Sequence, residues 1–142
     1  MLSSPLAVLD MKRGGLSFRR GEIETDSSVQ LAVYSRLLVQ NDEQPLPPAG
    51  YFMLWSGQLI TAYPRVFPRA MHIEGPPLEE TWNAITQGYI SNWEELEQGE
   101  IRDPGNEQEP LSESGIVEGR LHLKSCAFCG LDTLCGKAFA EE

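Results

Sequence analysis

Apolar positions fall into a few short runs separated by Gly, Pro and charge, and their spacing predicts the elements. Pro5-Leu6-Ala7-Val8-Leu9-Asp10-Met11 is continuously apolar until it meets charge, the pattern of a buried strand. Gly14-Gly15 breaks it, and the polar stretch 16–26 is expected to be a loop or an irregular hairpin. Asp26, Ser27 or Ser28 can cap a helix over about residues 29–40, where Val29, Ala32, Val33 and Leu37 follow helical spacing. Pro45, Pro47 and Pro48 make the next stretch a rigid connector. Residues 51–55 and 58–63 read as two strands joined tightly through Ser56-Gly57, a hairpin. Pro76-Pro77 then opens the longest helix, about 78–98. In it Leu78, Trp82, Ile85, Tyr89, Trp93 and Leu96 recur at spacings of 4, 3, 4, 4 and 3, one apolar stripe directed at the core. The order strand, helix, hairpin, helix predicts a mixed α/β (α+β) fold, a mixed sheet flanked by helices, over residues 1–100. An acidic segment broken by Gly and Pro (101–119), expected to be flexible, and a Cys-rich tail (120–142) follow.

Composition narrows the class. A chain of 142 residues suits one domain with a single core, and 41% hydrophobic residues with three Trp exclude a disordered polyanion. No apolar run approaches the roughly 20 residues of a membrane span, and the first residues lack the early positive charge of a signal peptide, so no membrane partner and a cytoplasmic location are expected. The formal charge of −10 is unevenly spread: residues 1–72 hold seven Lys/Arg and six Asp/Glu, residues 73–142 four and fifteen. A basic patch from Lys12, Arg13, Arg19, Arg20 and Arg36 is therefore compatible with nucleic acid, whose binding needs local cations; ordinary solvated surface charge is the plainer reading.

Three groups of residues carry chemistry. Asp10 and Lys12 lie two apart on a strand and so emerge on one face. A carboxylate is a hard ligand for Mg²⁺ or Mn²⁺, and an ammonium beside it can orient water or meet charge developing on a phosphate, the combination phosphodiester hydrolysis requires. Taken alone, Asp-x-Lys is more often a surface ion pair. Gln30 and Tyr34 lie one helical turn apart, on the side away from the apolar stripe, where an amide and a phenol can bind a nucleotide or hold the lysine; a partly buried tyrosine with its hydroxyl in solvent is the plainer account. In the tail, Cys126, Cys129 and Cys135 form a Cys-x2-Cys-x5-Cys cluster, too compact for a disulfide framework. Zinc and iron–sulfur clusters both take thiolates and both normally want four ligands; His122 can complete a Cys3His zinc site. A redox Cys-x-x-Cys enzyme lacks support, since nothing before Cys126 reads as the strand preceding a reactive thiol.

In this order, Val8-Leu9-Asp10-Met11-Lys12, Gln30 to Tyr34 and Cys126 to Gly136 resemble the carboxy-terminal part of a PD-(D/E)XK nuclease domain of RecB/AddB type, over roughly residues 5–138. The resemblance implies a partial restriction-endonuclease-like core and a hydrolase acting on DNA in recombination and repair. It implies Asp10 as ligand of Mg²⁺ or Mn²⁺, with the Met11 carbonyl often adding to it. Lys12 would position the attacking water, and Gln30 and Tyr34 would line the nuclease channel. The cysteines at 126, 129 and 135 would share a [4Fe–4S] cluster with a fourth cysteine far upstream. The family's other acidic ligands and that cysteine belong before residue 1, so the expectation is a fragment with little or no activity of its own. Its expected partners are DNA, the missing amino-terminal half and a helicase subunit. The alternative from another class is a non-catalytic zinc-binding interaction module held by His122 and the three cysteines.

Overall fold

The computed structural model describes residues 6–41 and 43–100, together with the backbone of two short strands at 115–117 and 120–122. The apolar run at the amino end forms β1 (Val8–Lys12), and Gly15 takes a left-handed backbone (φ 83°) that turns the chain into the next element. That element is α1 (Leu16–Glu24), a helix where a loop or hairpin was expected. Two local ion pairs support it, Arg19 with Glu22 at i,i+3 and Arg20 with Glu24 at i,i+4, while Ile23 turns into the core. A sharp corner at Asp26 (φ 56°) leads to α2 (Val29–Leu37). Its buried positions are Leu31, Ala32 and Ser35; Leu37, expected on the apolar face, is 75% exposed.

The Pro-rich connector delivers β2 (Ala49–Met53), which pairs in parallel with β1 so that Asp10 lies opposite Tyr51 and Lys12 opposite Met53. A parallel pair requires a crossover, and α1 and α2 provide it. Met53 to Gly57 make the tight turn into β3 (Gln58–Thr61), antiparallel to β2 as the hairpin signal implied, with Gly57 in the left-handed region (φ 64°). A short β4 (Met71–His72) runs parallel to β3. Among the described residues the sheet order is β1-β2-β3-β4, an open mixed sheet with β1 at its rim. Flanked by helices, it is the α/β class the periodicity indicated. The other two strands, β5 (Gly115–Val117) and β6 (Arg120–His122), form a separate antiparallel pair.

The long helix, α3, covers Leu78–Glu97. Pro77 precedes its first turn, where Glu79 and Glu80 complement the exposed amides, and Glu79 also accepts a bond from the Leu46 amide at 3.0 Å. Leu78, Thr81 and Ala84 are buried and Trp82 and Ile85 pack on the core, but Tyr89, Trp93 and Leu96 are exposed. The apolar stripe is thus a core face only in its first half. Twenty helical residues extend about 30 Å, whereas strands of four or five residues extend at most about 17 Å. No described helix is long and apolar enough to cross a membrane.

Candidate functional site at the end of the first strand

The residues singled out in the amino-terminal half are placed by β1 and α2. Val8, Asp10 and Lys12 share one face of β1, and Val8 is buried in the core, so the two charged groups continue a line that begins in the interior. Lys12 Nζ lies 3.0 Å from Asp10 Oδ2, with both side chains mostly covered (18% and 11% exposed). The same ammonium donates to Gln30 Oε1 at 2.5 Å, across 18 residues of sequence. Three expected site residues therefore converge on one nitrogen. Tyr34 follows Gln30 by one turn of α2, is 42% exposed, and makes no hydrogen bond or ring contact with the pair.

Asp10 Oδ2 is buried and accepts no hydrogen bond, because the lysine approaches off the line such a bond needs. A buried oxygen with unused lone pairs is costly unless a cation or donor reaches it, and the Lys12 ammonium at 3.0 Å meets part of that cost while leaving a lone pair open. The group thus fits one coordination position of a hard divalent ion, with the Met11 main chain next to it, and not a complete cage. Among the described residues no group of three or more His, Cys, Asp or Glu side chains comes together.

Pattern reading missed the floor of the site. Tyr51, opposite Asp10 on β2, is fully buried, with Lys12 Nζ 5.9 Å and Arg19 Cζ 5.5 Å from its ring centroid. Arg19 holds Glu22 through two bonds of 2.8 and 2.7 Å. Burial opposes the Arg19 charge, but Glu22, and after it Tyr51, together outweigh burial and raise its pKa. Burial first, then the Glu22 carboxylate, pushes the Tyr51 phenol well up, so it stays neutral. The i,i+3 spacing of Arg19 and Glu22 was available in sequence. The role of Tyr51 depends on parallel pairing, which no local pattern announces.

Cys126, Cys129 and Cys135 lie outside the described residues; His122 ends β6, with only its backbone described. No protein-family model, curated protein or solved structure matches the chain.

Proposed function

We propose that the chain is part of a metal-dependent DNA nuclease of the PD-(D/E)XK, RecB/AddB-like type, and that by itself it hydrolyses DNA poorly. The observation that carries this reading is the Lys12 ammonium set between Asp10 and Gln30, at 3.0 and 2.5 Å, on a strand end and the helix that crosses over from it. In such a site Asp10 supplies a hard oxygen, and Mg²⁺ or Mn²⁺, when bound, polarises a phosphodiester and makes water a nucleophile. Gln30 fixes the lysine by accepting a hydrogen bond from its ammonium at Oε1. That leaves Lys12 pointed at the carboxylate, where a water could be oriented and negative charge on a phosphate met. With one carboxylate, metal affinity is weak and turnover low. The same reading assigns Cys126, Cys129 and Cys135 to an iron–sulfur cluster, and DNA and a helicase subunit to the role of partner.

Mn²⁺ titration of the full chain by water-proton relaxation tests it. A weak site is expected that Asp10→Asn removes and Lys12→Ala strengthens, because removing a cation 3.0 Å from the carboxylate relieves repulsion of the metal. Any cleavage of linear DNA should nevertheless vanish in Lys12→Ala. Mn²⁺ binding indifferent to Asp10→Asn overturns the reading. A brown anaerobic preparation supports the cluster; a colourless one with stoichiometric zinc supports the Cys3His module instead.

A further inference from the structure

Beside the Asp10–Lys12 end of β1 stands a side chain that folding does not explain. Trp55, in the β2–β3 turn, is 81% exposed, the least covered of the large apolar residues described. Its position is nevertheless defined. The Leu54 amide donates to the Lys12 carbonyl at 2.8 Å, tying the turn to the end of β1. The guanidinium of Arg13 stands 5.9 Å from the indole centroid. The ring edge lies so near the Gly14 backbone that a Cβ there would be 3.7 Å from Cε3. A single exposed apolar residue is common on any surface, but an exposed indole with a cation 5.9 Å from its ring offers a ligand both a flat face and positive charge.

Charge says what it recognises. The chain has 21 carboxylates, yet residues 11–21 and 45–73, which between them supply the end of β1, the turn and the whole β2–β3 hairpin, contain none. Arg13 is therefore set beside an exposed indole on segments that themselves add no charge repelling phosphate, with Asp10, the nearest carboxylate in sequence, tied to Lys12 at 3.0 Å. Anionic backbone with flat π-bases is the ligand chemistry that uses cation and ring together. Duplex DNA hides its bases in the stack, and an apolar peptide would seek a groove, not a ring capped by a guanidinium.

We propose that Trp55 and Arg13 form a stacking platform for single-stranded DNA, one base lying on the indole and an adjoining phosphate on Arg13, so that the strand is led towards Asp10 and Lys12. The direction of the strand rests on the nuclease reading; the platform itself does not, and binding is measured without metal.

The test is anisotropy of fluorescein-labelled (dT)15 with the full chain in EDTA. Trp55→Ala should weaken binding roughly tenfold or more, within the 5- to 150-fold range that a stacked base represents, and Trp55→Phe should recover most of it. Arg13→Ala should lower the slope of log affinity against log salt by about 0.7, one phosphate's share. Blunt duplex should bind more weakly than (dT)15. Unchanged affinity in Trp55→Ala, equal binding of duplex, absence of (dT)15 binding, or equal competition by an acidic peptide each overturns the platform. If Asp10→Asn abolishes Mn²⁺ binding while Trp55→Ala changes nothing, the platform alone fails. If Trp55→Ala weakens (dT)15 while Mn²⁺ ignores Asp10→Asn, the nuclease reading alone fails.

Discussion

Asp26 joins three conditions that rarely coincide in a carboxylate. It is buried, it adopts a left-handed backbone at the corner between α1 and α2, and only one of its oxygens is bonded, by the Thr81 hydroxyl of α3. Oδ2 is unpartnered beside a small internal space that Ser28, Tyr63 and Leu78 also line. Burial raises its pKa above the ordinary value and the Glu80 charge adds to this, while the Thr81 bond works the other way. The folded chain therefore holds this proton more tightly than the unfolded one, so the corner loses stability as pH rises from the unfolded value of 3.8 through the folded one. Asp26→Asn tolerates the same backbone and removes the ionisation. Its melting temperature relative to wild type should rise as pH is raised from 4 to 7, and parallel pH profiles would contradict the assignment. Thr81→Val, which strips the carboxyl of its bonded donor, should cost about 1–3 kcal/mol in urea unfolding. Sequence offered Asp26 only as a candidate helix cap; its left-handed backbone and the partner on α3, 55 residues away, are tertiary facts.

At the scale of elements, what was legible followed from strong local signals. β1, the hairpin through Gly57 and the Pro-led α3 lie within a few residues of their expected bounds. α1 was not legible because Gly21, Ser17 and charged residues dominate its composition, and its apolar anchors are only Leu16 and Ile23. Side-chain ion pairs and burial of Ile23 outweigh propensity there. α2 was found, yet its buried face is set by Leu31 and Ser35, since contact with the sheet and α3, not hydropathy, decides which side turns inward. The end of α1 depends on a further close approach: a Cβ at Gly75 would lie 2.3 Å from the Ile23 carbonyl oxygen. Gly75→Ala is expected to push the segment before α3 off α1 and cost about 1–3 kcal/mol, read as a lower urea midpoint with unchanged m-value. The same substitution at Gly21, where a Cβ meets nothing, should be neutral or mildly stabilising.

For the molecule as a whole, the candidate site is an assembly of distant segments: β1 supplies the charged pair, α2 the amide, β2 the ring beneath, and α1 a second cation over that ring. Asp10, Lys12 and Gln30 stood out in sequence and Tyr51 did not, and the convergence of the first three was an expectation until the crossover brought α2 back over β1. β1 carries a further consequence through its place at the rim. Among the described residues no strand pairs with its outward main-chain groups, which form a template on which a second strand can lay itself, the first step of fibril growth. Alternate side chains there are apolar and open, Leu9 and Met11 at 47% and 66% exposed, so within the strand Asp10 and Lys12 are the residues that make the template inhospitable to copies of itself. The double variant Asp10→Asn/Lys12→Met leaves a five-residue run without charge. On prolonged incubation at high concentration it should scatter light and bind thioflavin T while the parent solution stays clear; an equally clear variant would show that these ions guard nothing.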